Sequence, residues 1–399
     1  MMAARVRLKL KPGKEKSLLR GHPWIFSGAV AGIEGAAAPG ETVEVVSSEE
    51  RFLALASLSP HSQIRARVWT FDREETVDPA FLARRVQRAV QRREALVHKD
   101  GAVRLIHGEA DGLPGLIVDR YAELLVVQLL AQGVEQQREV LVQALLDTTG
   151  LTRIYERSDA DVRGLEGLPA VCRVLAGAPP DTPIEVEENG LVYAVDVVHG
   201  QKTGFFIDQR DSRRRVAEQA FGEVLNCFCY TGGFALAALK AGATRVTSID
   251  SSAEALALAQ TNATRNGFKP EQASWQCDDV FAALRALRDR GRQFDVVILD
   301  PPKFAPTAAH LEKAARAYKD INLLGLKLLR PGGLLYTFSC SGGVSPELFQ
   351  KIVAGAASDA HANALLVERL AAPPDHPVVL AFPEGEYLKG LVLRKLSDR

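Results

Sequence analysis

Apolar positions fall into two textures along this chain. Residues 5–72 carry short apolar runs, Val6–Leu10, Thr42–Val46, Phe52–Leu58 and Ile64–Trp69, separated by turn residues such as Pro12-Gly13 and Pro39-Gly40. Short runs rich in β-branched residues and punctuated by Gly and Pro predict a small, mostly-β module. A basic helical stretch over 79–97 follows, with Phe81, Val86, Val90 and Val97 as its buried stripe. Apolar runs at 115–119 and 124–130, a helix near 134–147 and a strand near 152–156 make a small α+β region. Gly177-Ala178-Pro179-Pro180-Asp181-Thr182-Pro183 then reads as a linker, because three prolines in seven residues continue neither a helix nor a central strand.

Beyond the linker the pattern becomes regular. Strands at Glu223–Phe228, Arg245–Ile249, Ser274–Gln276, Phe294–Leu299 and Leu334–Phe338 alternate with helices from about 232, then 252–266, 279–289, 308–329 and 345–357. Such alternation predicts βαβ crossovers and a mostly parallel sheet with helices on both faces. The expected fold class is α/β, with a β-rich domain at 1–75, a small α+β domain at 76–180 and the parallel-sheet domain at 184–399. Ligands of such sheets bind beyond the carboxyl ends of the strands, so the residues after each strand should carry the chemistry.

Composition narrows the setting. The chain has 399 residues, more than one core organises, and a formal net charge of zero. A partner held by bulk charge is disfavoured, although a local basic groove is not excluded. The five cysteines, Cys172, Cys227, Cys229, Cys277 and Cys340, are odd in number and unevenly spaced. They do not form a disulfide framework and fit a reducing cytoplasm. The basic segment Met1 to Lys16 lacks the apolar core of a secretory signal, and Leu124–Ala131 is too short to span a bilayer, so no membrane partner is expected. The Cys227-x-Cys229 spacing lacks a second cysteine pair or a histidine cluster, so no metal is expected either.

The first strand runs into Asn226-Cys227-Phe228-Cys229-Tyr230-Thr231-Gly232-Gly233-Phe234. The paired glycines permit a tight turn and close approach of a ligand, but the spacing is not that of a dinucleotide fold. The second strand ends Ile249-Asp250-Ser251, where a carboxylate can accept both ribose hydroxyls of an adenosine moiety. The third leads into Cys277-Asp278-Asp279-Val280, where a side-chain acceptor could meet an adenine amino group, or an Asp could simply cap the next helix. The three strand ends together point to an adenosyl ligand.

The fourth strand ends Asp300-Pro301-Pro302-Lys303-Phe304. The prolines hold a rigid loop at the sheet edge, from which Asp300 can face the polar edge of an extruded base. The fifth ends Ser339-Cys340-Ser341-Gly342-Gly343. Cytosine C5 does not take a methyl group unaided, whereas a thiolate added at C6 makes C5 enamine-like. Cys340, in a loop beside the presumed base pocket, suits that covalent role.

Asn226–Phe234, Asp300–Phe304 and Ser339–Gly342 resemble the signature loops of the bacterial 23S ribosomal RNA cytosine-C5 methyltransferases. Leu18–Ser27, with Arg20, His22 and Trp24, resembles the opening of that family's RNA-binding PUA domain. Gly200–Arg210 resembles the loop before the first helix of the cofactor domain, and Glu384–Gly390 is also similar. The resemblance covers nearly the whole chain. It implies a PUA domain, a central α+β domain and a Rossmann-like methyltransferase domain. It also implies S-adenosylmethionine as methyl donor and 23S ribosomal RNA as partner.

By the same resemblance Cys340 is the nucleophile and Asp300, with Pro301, Pro302, Lys303 and Phe304, positions the cytosine. Asn226, Phe228, Tyr230, Thr231, Gly232, Asp250, Ser251, Asp278, Asp279 and Val280 hold the donor, with Phe206, Gln209 and Arg210 closing over it. Related RNA enzymes often carry a second cysteine in the fourth-strand loop. Here Lys303 stands near that place, so the base that removes the C5 proton stays unassigned.

Arg84, Arg88 and Arg92 recur at helical spacing and Arg213, Arg214 and Arg215 open another helix, either to contact phosphates or as solvated faces. Three alternatives stay open: methylation of a guanine or adenine amino group, RNA binding without catalysis, and methylation of a small molecule. Homodimerisation is also left open.

Overall fold

In a computed structural model the described residues are 6–304 and 311–398. They pack as two compact units. One comprises Met1–Val186, Val195–Ile207 and Pro374–Gly385, the other Glu187–Ala194, Asp208–Pro373 and Glu386–Arg399.

The first unit holds two sheets. Strands β1 (Arg7–Leu10), β2 (Trp24–Phe26), β3 (Val30–Glu34), β4 (Thr42–Val46), β5 (Phe52–Leu58) and β6 (Ile64–Thr70) form a six-stranded sheet in the order β2-β6-β5-β4-β1-β3. Its core includes Leu8, Leu10, Ile25, Val43, Val45 and Ala56, the inward positions of these short strands. Strands β7 (Ala102–His107), β8 (Leu116–Tyr121), β9 (Leu124–Leu129), β10 (Arg153–Ser158) and β11 (Val171–Ala176) form a five-stranded sheet in the order β11-β10-β9-β8-β7.

The Pro79–Arg92 helix belongs to this second core. Asp78 caps it by accepting from the Phe81 N–H at 2.7 Å, and proline opens its first turn. Phe81 and Val86 are buried as the pattern predicts, joined by Leu82 and Ala89. Val90, within the helix, is only half-buried, and so is Val97, which lies beyond the helix end at Arg92 and the 3-10 turn Glu94–Leu96. The helix expected near 134–147 is broken into Gln132–Gln136 and Arg138–Thr149.

A hairpin of β12 (Ile184–Glu188) and β13 (Leu191–Val195) follows the proline-rich stretch. The second unit is then built on β14 (Glu223–Cys227), β15 (Arg245–Asp250), β16 (Ala273–Cys277), β17 (Phe294–Leu299), β18 (Leu329–Ser339), β19 (Ala362–Ala371) and β20 (Lys389–Asp398). Their order is β16-β15-β14-β17-β18-β20-β19. The first five are parallel, and β20 runs antiparallel between β18 and β19.

The five parallel strands and their intervening helices match the sequence pattern, and the two antiparallel strands are an addition to it. The helix expected over 308–329 is seen as Leu311–Leu328, its predicted start lying outside the described residues. Strand order reverses between β14 and β17, and it is at such a switch point that open α/β sheets bind ligands.

Candidate active site

In the second unit the chain leaves β14 through a constrained loop. Phe228 and Tyr230 take left-handed backbone angles, φ 58° and 48°, before Gly232 at 83°. Non-glycine residues avoid that region, so two so close together mark a backbone held by its surroundings. Asp250, at the tip of β15, supplies part of the hold. Its carboxylate accepts from the Tyr230 N–H at 2.8 Å and from the Ser252 N–H at 3.0 Å. A carboxylate has about four acceptor positions, which leaves Asp250 capacity for a ligand's hydroxyls.

Asn226 is fully buried, and neither polar atom of its side chain has a hydrogen-bond partner among the described residues. Buried amides in native proteins are almost always satisfied, so this one fits a site completed by a polar ligand. Gln209 behaves alike: its Nε2 donates to Asp300 Oδ1 at 3.0 Å while its buried Oε1 lacks a partner among the described residues.

The two acids after β16 have separate roles in the structure. Asp279 caps the Val280–Asp289 helix, accepting from the Ala282 N–H at 2.8 Å. Asp278 donates its N–H to the Asp250 carbonyl at 3.0 Å, which ties the third strand end to the second. Val280 is buried in the core and Ser251 is exposed. Thr231 is buried, and its carbonyl accepts from Asn262 at 3.1 Å. Arg210, half-buried, opens the Arg210–Gln219 helix.

Aromatic rings gather beside this edge. Phe228 lies 6.4 Å from both Phe281 and Phe304, and Phe304 lies 4.8 Å from Tyr318. Phe281 and Tyr318 were not singled out from the sequence. Their helical positions look like ordinary core until the loops after β14 and β17 bring partners to them.

The loops after β17 and β18 also meet. Leu299 and Thr337 are paired in parallel register, so Asp300 and Cys340 leave neighbouring strand tips. Cys340 Sγ lies 3.8 Å from the Pro301 carbonyl oxygen, and the side chain is half-buried, not sealed in the core. Pro301 is buried, Pro302 and Lys303 are exposed, and Phe304 is half-buried. Cys227 and Cys229 are buried, and burial pushes both thiols well up from their ordinary value, away from thiolate chemistry. Cys172 and Cys277 are exposed.

The remaining predicted residues belong to the first unit. Phe206 carries Lys202 Nζ at 4.3 Å from its ring centre. Arg20 is exposed. His22 Nδ1 accepts from the Trp24 N–H at 3.2 Å, and its Nε2 lies 3.2 Å from a Glu384 carboxylate oxygen. Trp24 donates its indole N–H to Glu109 at 2.7 Å and packs edge-on against Phe382 at 4.6 Å. Much of Trp24 is thus spent on intramolecular contacts.

A cleft of about 430 Å³ in this unit is lined by Trp69, Phe71, Arg85, Arg88 and Arg92 among others. Arg85 and Arg92 are paired with Glu75 and Asp111 at 3.4 and 3.3 Å. Arg88 is exposed, with no ion pair among the described residues. Arg213 is buried against Glu188, so that arginine is a structural element and not a solvated or RNA-facing side chain.

Residues 104–394 match the S-adenosylmethionine-dependent methyltransferase family, and residues 8–71 match the PUA-like domain. The chain is 52% identical to the ribosomal RNA large subunit methyltransferase I of Shewanella amazonensis, over 98% of this chain and 99% of that one. It is 51% identical to the protein of the same name from Cronobacter sakazakii, over 96% and 98% of the two chains. Among solved structures it resembles a putative SAM-dependent methyltransferase from Streptococcus mutans, with a TM-score of 0.85 at 23% identity over 98% of this chain and all of the other. A putative methyltransferase complexed with SAH gives a TM-score of 0.86 at 23% identity over the same shares.

Proposed function

The chain belongs to the S-adenosylmethionine-dependent methyltransferase family, and from that premise we propose that it methylates C5 of a cytosine in large-subunit (23S) ribosomal RNA through a covalent adduct on Cys340. The observation that carries the reading is the contact of Cys340 Sγ with the Pro301 carbonyl at 3.8 Å. It puts a half-buried thiol and an acid-Pro-Pro loop on one edge of the sheet, as attack on a base held by that loop requires.

S-adenosylmethionine supplies a methyl group on a sulfonium, an electrophile strong enough for an activated carbon. Asp250 would hold the ribose hydroxyls, Asp278 would face the adenine, and Asn226 would gain the polar partner it lacks. Asp279, which caps its helix through Oδ1, would line the pocket together with the Phe228–Gly232 turn.

Cys340 acts on the base. Its thiolate adds to C6, and the C5–C6 electron pair shifts into the ring as Asp300, steadied by Gln209, meets the polar edge. C5 then takes the methyl group as the methyl–sulfur bond breaks. Loss of the C5 proton to a base returns the electron pair, the C6–S bond breaks, and the thiolate is restored. Arg20, His22 and Trp24, with the exposed Arg84 and Arg88, would contact RNA in the first unit, and the work would be done in the cytoplasm. Among the described residues no helix is long and apolar enough to cross a membrane.

Incubation of unmodified large-subunit ribosomal RNA with methyl-labelled donor should place label in 5-methylcytidine after digestion to nucleosides. Label in a methylated guanine or adenine amino group would replace this reading with the amine chemistry. Asp250→Ala should weaken donor binding in calorimetry by about 10- to 100-fold, as expected for charge-assisted hydrogen bonds worth roughly 1.5–3 kcal/mol. Unchanged affinity would remove Asp250 from the site.

A further inference from the structure

Lys389 opens β20, where it pairs in antiparallel register with Ser339. Its Nζ donates to the Ser341 carbonyl at 2.8 Å. Ser339 and Ser341 flank Cys340, so one side chain spans the backbone on both sides of the thiol. Lys389 is only 5% exposed, and among the described residues it forms no ion pair with a carboxylate. Burying an ammonium without an anion is costly. Burial accordingly pulls the Lys389 amine down to about 8, opposed by the charges of Cys340 and Glu386 and reinforced by that of Lys303. Tyr318, whose hydroxyl meets Ser341 Oγ at 3.0 Å, also feels the charge of Cys340, and burial raises it so that it stays neutral.

We propose that the Lys389 ammonium is the positioning counter-ion that holds Cys340 as a thiolate, an inference that rests on the reading of Cys340 as nucleophile. A free thiol ionises near pH 8.5 and is mostly protonated at neutral pH, whereas only the thiolate adds to a pyrimidine. A cation shielded from water acts on a neighbouring sulfur far more strongly than one in solvent. The Ser341 carbonyl matters to this. A carboxylate partner would fix the ammonium and also cancel it; a carbonyl fixes it and leaves its charge to act on the thiol. The lysine sits on a strand paired on both sides, by β18 and β19, so its position does not depend on a mobile loop. The thiol proton passes to solvent and Lys389 keeps its own, so no group is transferred by the lysine.

The test is the rate of alkylation of Cys340 by iodoacetamide as a function of pH, read by peptide mass spectrometry on the full-length protein. In the wild type the midpoint should fall below the roughly 8.5 of a free peptide cysteine. Lys389→Met should move it upward by at least one pH unit and slow alkylation at pH 7 about tenfold. Lys389→Arg should restore most of the shift. Methyl transfer should follow the same pH displacement, with kcat falling and KM for RNA unchanged. A wild-type midpoint at or above that of free cysteine overturns the proposal without any variant, and so does a Lys389→Met profile that superimposes on the wild type. If the lysine-dependent midpoint is found but Cys340→Ala retains full activity, the ion pair stands and the covalent reading falls.

Discussion

Cys340→Ala is expected to lower methyl transfer to C5 on the order of a thousandfold or more, while donor affinity stays within a factor of about two. The two halves of this expectation have separate origins. Without a nucleophile at C6 the cytosine ring leaves little electron density at C5, and among the described residues no other cysteine lies in the loops after β17 and β18. Cys227 and Cys229 are buried with their thiols pushed up, so neither substitutes. The residues assigned to the donor follow β14, β15 and β16, whereas Cys340 follows β18 on the far side of the switch point. Deleting one sulfur there leaves the constrained Phe228–Gly232 turn and Asp250 untouched.

Single-turnover transfer and calorimetry on the same preparation read the two halves apart. RNA carrying 5-fluorocytidine at the target adds a sharper readout. Fluorine cannot leave C5 as a cation, so the wild type should stall as a covalent RNA–protein species and Cys340→Ala should not. Full activity in the variant, with no trapped species in the wild type, would falsify the covalent mechanism.

In the parallel half of the second sheet, β17 and the second half of β18 were readable because they are buried on both faces, whereas β16 at the edge is half-buried to exposed. Such strands appear in sequence as mostly apolar runs, and Asp300 or Cys340 then marks where each run stops. β19 could not be read that way. Leu365, Leu366 and Val367 along it are exposed, so apolar character there does not signal burial. β20 has the apolar Leu391-Val392-Leu393, but only its pairing with β18, well before it in the chain, says that it inserts antiparallel into the sheet.

The site followed the same division. Asp250 and Cys340 are legible because they end strands. Phe281 and Lys389 are not, because the first looks like a helix residue and the second depends on register. The Asp278-Asp279 pair was ambiguous as sequence. The Asp279 carboxylate sits three residues before Ala282, where a capping oxygen belongs, and the structure assigns it there.

Glu188→Gln is expected to cost about 3–5 kcal/mol, the range found when one partner of a buried ion pair is removed. Arg213 and Glu188 are 3% and 6% exposed, and the guanidinium meets the carboxylate through two hydrogen bonds of 2.6 and 2.7 Å. Burial alone would lower the arginine's affinity for its proton. The charge and hydrogen bonds of Glu188 more than offset this and raise it, and a guanidinium stays charged even when the carboxylate is lost. The neutral amide of the variant would then face a buried cation that has lost its largest balancing charge, with the weaker effect of Asp208 remaining.

The pair also bears on the site. A Cβ at Gly233 would come within 2.9 Å of Arg213 Cδ, so the arginine stem packs directly against the first residue after the donor-binding turn. Loosening Arg213 should therefore lower hydrogen-exchange protection in both the Arg210–Gln219 and Gly233–Lys240 helices, which reads the effect without requiring the whole chain to unfold in one step. Replacing both partners, Glu188→Leu with Arg213→Met, should recover much of the loss, since an apolar pair of similar volume carries no desolvation penalty. Equal protection in Glu188→Gln and the wild type would mean that the arginine draws its stability from elsewhere. A double variant no better than the single one would mean that the stem's fit against Gly233, and not the charge, is what the fold requires.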